Sequence, residues 1–182
     1  MKISIFGYSG SGKYTLAKAL SKAYAIPVLH LDSVHFLPDW EERSVEEMSA
    51  IVKDFLDKNS SWVIDGTYKR NCFERRMAES DLLVFLDFNR FTCFFRAWKR
   101  YRKNKGKTRA DMAEGCNERF HGEFIRWLLW DGRTRKRRQA FQKVVAMYAS
   151  KTVILKNQRQ LTAFLNEQQA QAAKVAQAQE KE

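Results

Sequence analysis

Residues 2–13 read KISIFGYSGSGK, and this stretch decides the fold of the chain. Residues 2–6 are short, largely apolar and β-branched, which predicts a buried strand. Residues 7–12 form a glycine-rich turn, and apolar side chains recur at helical spacing through residues 13–24. The stretch therefore predicts a strand, a tight turn and a helix in direct succession.

The turn matches the pattern G-x-x-x-x-G-K, with Gly7, Gly12 and Lys13 at its fixed positions. Glycines let successive backbone N–H groups point at phosphate oxygens, and the following helix N-terminus adds a positive field. Lys13 supplies a mobile charge for the β- and γ-phosphates. The alternative, a merely tight strand-to-helix turn, gives no reason for a lysine after Gly12. The pattern predicts ATP binding by Gly7, Ser9, Gly10, Ser11, Gly12, Lys13, Tyr14 and Thr15.

Position 14 departs from the pattern. The residue after the lysine is ordinarily Ser or Thr, whose hydroxyl binds Mg²⁺. Tyr14 stands there instead, and its phenol oxygen is too distant to replace that hydroxyl. Thr15 lies about 100° further round the helix, so we expect it at the α-phosphate. The substitution leaves nucleotide binding intact and is expected to weaken Mg²⁺-dependent turnover.

The rest of the chain alternates short apolar segments with helical patterns. This alternation predicts an α/β fold of three layers, with helices on both faces of a parallel sheet. The length of 182 residues suits one domain, which we place at residues 1–166 with a basic helical lid at about 103–138. Residues 167–182 form a polar tail, interpreted as a frayed helix or as disordered. Further strands are predicted at 28–31, 62–64, 82–88 and 152–155.

The charge is concentrated in one segment. The chain has a formal net charge of +12, and residues 90–138 hold sixteen basic and five acidic residues, so they carry eleven of those twelve charges. Such a balance predicts an anionic partner, which is a phosphorylated small molecule, a nucleic acid or an acidic membrane surface. The basic residues beyond those that one triphosphate requires either face solvent or contact a larger anion.

Cysteine usage and hydropathy indicate the cellular compartment in which we expect the protein. Three widely spaced cysteines with no C-x-x-C motif argue against a disulfide framework and against a zinc site. The N-terminal stretch lacks the pattern of a signal peptide, and no apolar run reaches the ~20 residues of a membrane span. We therefore expect a cytoplasmic protein with no membrane partner.

Four strings in order resemble the adenylate kinase and shikimate kinase group of small P-loop kinases. They are GYSGSGK at 7–13, IPVLHLD at 26–32, WVIDGTY at 62–68 and VFLDF at 84–88. Together with HLDSVHFLPDW, KTRADMAEGC, EFIRWLLWDGRTRKR and NQRQL, residues 1–166 more narrowly resemble bacterial DNA topology modulation proteins of the FlaR-related type. The resemblance implies a five-stranded parallel sheet of order 2-3-1-4-5, with a lid over the nucleotide.

The resemblance gives roles to two carboxylates at strand ends. Asp32 would engage the acceptor or the metal shell, and Asp65 would hold a Mg²⁺-bound water. The ordinary alternatives are a helix cap or turn for Asp32 and an Asp-Gly turn for Asp65. Asp87, inside an apolar strand, is interpreted as a structural residue that pairs with a backbone N–H or an arginine.

The resemblance also assigns arginines to the moving phosphate. Arg96 and Arg100 are four residues apart, on one helix face, and match in spacing two arginines at the start of the adenylate kinase lid. Arg100 is also expected to contact the nucleotide. Arg135 and Arg137 match the arginines that close the lid. Phosphoryl transfer requires such groups because charge spreads over the equatorial oxygens.

Aromatic residues interleave with the basic ones. Their helical spacing favours core packing over base stacking, with one or two exposed at most. Phe36 and Trp40, after Asp32, are better candidates for stacking on an acceptor. The seven interleaved residues are Phe91, Phe94, Phe95, Trp98, Phe124, Trp127 and Trp130.

Three functions follow from these residues. The first is a kinase that uses ATP and Mg²⁺ to phosphorylate a small acceptor of the nucleotide or nucleoside type. The second is a nucleotide-dependent protein that binds DNA, although no DNA- or RNA-binding motif accompanies the basic segment. The third is an ATP-binding protein in which Tyr14 has weakened catalysis.

Overall fold

The elements alternate along the chain in the computed structural model, which describes residues 1–106, 108 and 115–179. The strands are β1 (Lys2–Gly7), β2 (Val28–His30), β3 (Trp62–Asp65), β4 (Leu82–Leu86) and β5 (Thr152–Leu155). The helices are α1 (Lys13–Tyr24), α2 (Leu31–His35), α3 (Val45–Lys58), α4 (Phe73–Glu79), α5 (Arg90–Asn104), α6 (Gly122–Leu129), α7 (Arg135–Met147) and α8 (Gln158–Gln179).

The five strands form one sheet with the order β2-β3-β1-β4-β5, and every neighbouring pair is parallel. Central β1 pairs with β3 and β4, and Gly7 lies opposite Leu86. Helices flank the sheet, as a buried parallel sheet requires. The predicted three-layer α/β fold and its strand order are confirmed.

The helix starts follow capping signals in the sequence. The hydroxyl of Ser44 accepts a hydrogen bond from the backbone N–H of Glu47 at 3.2 Å and so begins α3. The Asn89 side chain accepts from Thr92 N–H at 2.8 Å and begins α5. Thr134 does the same for α7 through Arg137 N–H at 3.4 Å. This last cap fixes the rotational phase of α7.

Two apolar clusters hold the layers together. The larger one joins β1 and β4 to α1, α7 and α8, and its rings include Phe6 stacked on Phe85 with centroids 5.1 Å apart. The smaller one joins β3 to α3 through Trp62 and Ile64 packed against Met48. Both clusters lie beneath the carboxyl-end loops and give them a rigid base.

Several element boundaries differ from the sequence predictions, and β1 and β3 each extend one residue further than predicted, to Gly7 and Asp65. Leu31, predicted as strand, begins α2, and the predicted strand at 82–88 ends at Leu86. Residues 167–179 of the tail are helical, because α8 continues without a break from Gln158 to Gln179. Helix α8 packs on α1. The Tyr24 hydroxyl therefore donates to Gln168 Oε1 at 2.9 Å, and Ala172 is buried.

The predicted lid at 103–138 includes the end of α5, all of α6 and the start of α7. Residues 107 and 109–114 of that segment lie outside the described residues. Core packing is wrong for five of the seven interleaved aromatic residues, which are exposed: Phe91, Phe95, Trp98, Trp127 and Trp130. Within the described residues, no helix is both long and apolar enough to cross a membrane.

Gly7 is held at φ +139°, and a Cβ there would lie 2.5 Å from the backbone oxygen of Leu86. Gly7→Ala should therefore destabilise the protein by about 2 kcal/mol, which lowers the melting temperature by about 4–8 °C. Thermal unfolding followed by circular dichroism measures this. The matched control is Gly122→Ala, since a Cβ at Gly122 meets no atom within 4 Å. Equal melting temperatures for the two variants would contradict this reading of the turn.

Candidate active site

A single large cleft opens at the carboxyl ends of β1 and β3. It has a volume of about 1640 Å³ and is bordered by the phosphate loop (residues 7–13), α2, α5, α6 and the start of α7. Drug-sized ligands occupy clefts of about 300–1,000 Å³. The cleft is therefore large enough for a nucleotide and a second small molecule.

The phosphate loop is curled by glycines at positive φ, a backbone conformation that other residues rarely adopt. Gly10 and Gly12 have φ values of +74° and +100°, and a Cβ on Gly10 would lie 2.6 Å from Cys93 O. Lys13 Nζ donates to Tyr8 O at 3.1 Å across the curl. The predicted phosphate-binding residues that line the cleft are Gly7, Ser9, Gly10, Gly12, Lys13, Tyr14 and Thr15.

Ser11 is the exception among the predicted loop residues. Its side chain is buried and donates to Tyr8 O at 2.7 Å, so it stabilises the curl and does not line the cleft. Its carbonyl oxygen accepts from Arg96 at 2.6 Å. Ser11 thus supports the loop from behind.

The position that departs from the phosphate-loop pattern packs on a histidine. The ring of Tyr14 lies 4.4 Å from the ring of His30, centroid to centroid. His30 Nδ1 in turn donates to Asp65 Oδ1 at 2.5 Å. Tyr14 therefore covers the side chain that holds one of the two predicted carboxylates.

Asp65 and Asp32 both reach the cleft, each bound to one neighbour. Burial raises the pKa of Asp65 above its ordinary value, and the His30 hydrogen bond opposes that shift. Asp32 Oδ1 accepts from the Tyr68 hydroxyl at 2.7 Å. Burial, reinforced by the charge of Asp32, raises the pKa of Tyr68, so this hydroxyl stays a donor at neutral pH. Asp32 lies inside α2 and its side chain does not cap that helix.

The two carboxylates fit a magnesium ion that arrives with ATP. Mg²⁺ prefers hard oxygen ligands and is usually held by one or two carboxylates together with substrate phosphates and waters. Among the described residues, no group of three or more metal-ligating side chains is found. Asp65 and Asp32 supply carboxylate oxygens of this kind on the cleft.

Three of the four predicted arginines line the cleft. Arg96 lies 4.2 Å over the ring of Phe88 and also donates to the side chain of Gln158. Arg100 Nε donates to Glu118 Oε1 at 2.9 Å. The guanidinium of Arg137 lies 4.3 Å over the ring of Trp127. These groups place positive charge around the mouth of the phosphate loop.

Arg135, which is predicted at the transferred phosphate, does not line the cleft. It lies two residues before Arg137, about 200° away round α7, and is exposed. Arg133 lines the cleft instead and donates to Phe88 O at 2.8 Å, with its guanidinium 3.8 Å over the ring of Tyr8. The sequence showed the arginine cluster but not the phase of the helix that follows Thr134.

Two further contacts in the cleft are not predicted by the sequence. Trp127 Nε1 donates to Ser9 Oγ at 3.2 Å, so α6 touches the phosphate loop directly. Tyr68 closes on Asp32 from the loop after β3. The one available signal was position: Tyr68 is a polar aromatic residue that follows the carboxyl end of a strand, where ligands bind in such sheets.

Arg76 fixes the loop that follows Asp65. Its side chain is fully buried and donates to three backbone oxygens, those of Gly66 (3.3 Å), Tyr68 (3.0 Å) and Asn71 (3.3 Å). Burial lowers its pKa to about 10, so it stays charged at neutral pH. Arg76 acts on the site by holding backbone in place.

Comparison with known proteins agrees with this geometry at the level of fold. No protein-family model and no curated protein matches the chain. A gluconokinase from Sinorhizobium meliloti 1021 is similar with a TM-score of 0.51 and 18% identity, covering 97% of this chain and 94% of that one. A deoxyadenosine kinase from M. mycoides gives 0.51 and 15%, covering 92% and 98%. The chain has a P-loop kinase fold.

A third solved structure is also similar to this chain. A shikimate kinase from Acinetobacter baumannii has a TM-score of 0.50 and 13% identity, covering 91% of this chain and 89% of that one. Together the three similarities extend over nearly the full described sheet and its helices. The P-loop kinase fold thus rests on the strand order and on these structures, and the details of chemistry rest on the cleft.

The role of Arg76 is testable against its neighbour. Arg76→Met leaves three buried carbonyl oxygens without their donor and should cost about 2–4 kcal/mol of unfolding free energy in urea titrations. Arg75→Met is the matched control. Arg75 makes only partly exposed ion pairs, with Asp57 and Glu79, and should cost less than about 1 kcal/mol. The assignment fails if both variants lose the same stability.

The raised pKa of Asp65 makes a second prediction. Ionised Asp65 opposes folding, so the wild type loses stability relative to Asp65→Asn as the pH rises from the ordinary value of 3.8 through the raised folded-state pKa. At pH 7 the variant should be about 0.5–2 kcal/mol more stable. Melting temperatures of both proteins between pH 4 and pH 8 measure this. A variant that is less stable at every pH would overturn it.

Proposed function

We propose that the protein is an ATP-dependent kinase that transfers the γ-phosphoryl group of ATP to a small acceptor of the nucleotide or nucleoside type. The observation that carries the proposal is the convergence of Lys13, the Asp32 and Asp65 carboxylates and the Arg137 guanidinium on one cleft. A phosphate cradle, two carboxylates and mobile cations are the parts that phosphoryl transfer requires.

The phosphate loop would bind ATP. Its inward N–H groups and the N-terminus of α1 favour the phosphate charge. Lys13 would leave Tyr8 O and follow the β- and γ-phosphates, and Thr15 would meet the α-phosphate. Asp65, oriented by His30, would hold the Mg²⁺ shell together with Asp32.

The acceptor would enter on the Asp32 side of the cleft. Tyr68 orients the Asp32 carboxylate, which leaves it able to accept the proton of an acceptor hydroxyl. Aromatic rings line the same region: Phe36 lies 5.1 Å from Trp40, and Arg119 lies 5.6 Å over the Trp40 ring. A wall of rings and a cation suits a planar base, which supports a nucleotide or nucleoside acceptor.

Arginines would stabilise the transition state. Arg137 stands on α7 beside Trp127, which contacts the loop, so movement of α6 and α7 would bring it onto the transferred group. Arg96 is anchored to Ser11 O and Arg100 to Glu118, so both would act from fixed positions. Arg133 supports the loop by covering Tyr8.

The narrower resemblance and the Tyr14 substitution belong to the same proposal. The aromatic-rich strings resemble those of DNA topology modulation proteins of the FlaR-related type, a resemblance that no family model supports, and we propose that the biochemical activity of this chain is phosphoryl transfer. Tyr14 packs on His30, and Asp65 and Asp32 would hold the ion without a hydroxyl ligand from position 14. Turnover would then be slow compared with kinases that retain the hydroxyl.

A phosphate-transfer screen tests the proposal. The protein is incubated with Mg²⁺ and ATP labelled at the γ-phosphate, against nucleosides, nucleoside monophosphates and sugars. Label should pass to an acceptor of the first two classes. Lys13→Ala should abolish ATP binding and transfer together, whereas Lys18→Ala, an exposed lysine on the same helix, should change neither. Unchanged ATP affinity in Lys13→Ala would refute the proposed role of the loop.

The arginine assignment has its own test. Arg137→Ala should lower kcat by about 100-fold or more with little change in the Kd for ATP, because the residue acts on transition-state charge. Lys136→Ala removes the same charge from the adjacent exposed position and should change kcat by less than about twofold. Steady-state kinetics at saturating ATP measures both. Equal kcat values in the two variants would remove Arg137 from the mechanism.

A further inference from the structure

Helix α5 carries two different faces. Arg96, Arg100 and Lys103 line the cleft. At about 100° per residue, a second set of four side chains falls within an arc of about 60° on the opposite side of the helix. These four, Phe91, Phe95, Trp98 and Arg102, are called the α5 stripe.

The rings of the α5 stripe lie in solvent. Phe91 is 63% exposed, Phe95 61% and Trp98 41%. The residues that α5 buries are small instead, Cys93 and Ala97. This reverses the ordinary amphipathic arrangement, in which the large apolar side chains face the core. A row of exposed large rings marks an interaction surface.

The charge of α5 indicates what kind of molecule the α5 stripe would bind. Its fifteen residues, RFTCFFRAWKRYRKN, include six basic side chains and no acidic one. A symmetric contact with a second copy would place these basic residues against each other, which is repulsive. Within the stripe, the Arg102 guanidinium lies 5.0 Å over the ring of Trp98. The partner is therefore anionic.

The spacing of the rings distinguishes between classes of anionic partner. Along the helix axis Phe91 and Phe95 are about 6 Å apart, and Phe95 and Trp98 about 4.5 Å apart. Rings at such intervals, with cations beside them, match the alternation of bases and phosphates along an unpaired strand. A duplex offers phosphates but keeps its base faces stacked inside. An acidic peptide offers charge but no flat faces for the rings.

We propose that the α5 stripe binds single-stranded nucleic acid. Phe91, Phe95 and Trp98 stack on successive bases, and Arg102 contacts a phosphate. The site is separate from the cleft because it lies on the opposite face of α5, and it does not depend on the proposed kinase activity. It also gives a role to part of the basic charge that a single triphosphate leaves unused.

Fluorescence anisotropy with labelled twelve-nucleotide oligo(dT) and oligo(U) at low salt tests the proposal. The wild type should bind at least one of them, and the comparison of the two shows whether the sugar matters. The double variant F95L/W98L keeps the apolar surface but removes the stacking rings. It should bind about 10- to 100-fold more weakly, since each base-to-ring stack contributes about tenfold or more. Circular dichroism verifies that the variant is folded.

Matched substitutions separate stacking and charge from general effects. Met147→Leu alters an exposed apolar residue on α7 and should leave binding unchanged. Arg102→Ala should reduce the slope of log affinity against log salt by about one, and should weaken binding more than Lys143→Ala, which removes a charge from an exposed position on α7.

Four results would overturn the proposal. They are absence of oligonucleotide binding even at low salt, equal binding by F95L/W98L, equal binding of a duplex of the same length, and a wild-type dimer that F95L/W98L dissociates in sedimentation experiments. The last result would identify the α5 stripe as a self-association surface.

Discussion

The close approach of the phosphate loop to β4 and α5 is the constraint on which the rest of the site depends. A Cβ on Gly7 would meet Leu86 O at 2.5 Å, and one on Gly10 would meet Cys93 O at 2.6 Å. These backbone contacts fix the curl, and Arg96 anchors it further through Ser11 O. Because β3 pairs with β1 in register, the same contacts set the distance from Lys13 to Asp65. The curl of the phosphate loop is therefore fixed by packed backbone.

The carboxylate side of the cleft is a chain of contacts in which each member orients the next. Tyr14 covers His30, His30 binds Asp65, and Tyr68 binds Asp32, while Arg76 holds the loop between Asp65 and Tyr68 from below. Burial of Asp65 makes its charge costly in the folded protein. Such a cost is typical of groups kept for function at the expense of stability. The replacement of a hydroxyl by Tyr14 thus changes the surroundings of the carboxylates as well as the metal shell.

Local sequence patterns predict most of the strands and helices, but they predict only some of the residues that line the cleft. The bounds of α1 and β5 follow from apolar spacing, and the sheet order follows from the family resemblance. The places of Arg133 and Arg135 relative to the cleft are not predictable from the sequence, because they depend on the turn at residues 131–133 and on the phase with which α7 begins after the Thr134 cap. The outward rings of α5 were mistaken for core, since periodicity gives a face but not its direction. Small Cys93 and Ala97 fill the inward face because the phosphate loop passes directly against it.

The central claim is that the cleft recognises its ligand through phosphate, and calorimetric titration tests it most directly. The same protein solution is titrated with ATP and with adenosine in the presence of Mg²⁺. If the phosphate loop supplies most of the binding free energy, ATP should bind at least about 100-fold more tightly than adenosine, a difference of about 2.7 kcal/mol. Equal affinity for ATP and adenosine would contradict the account.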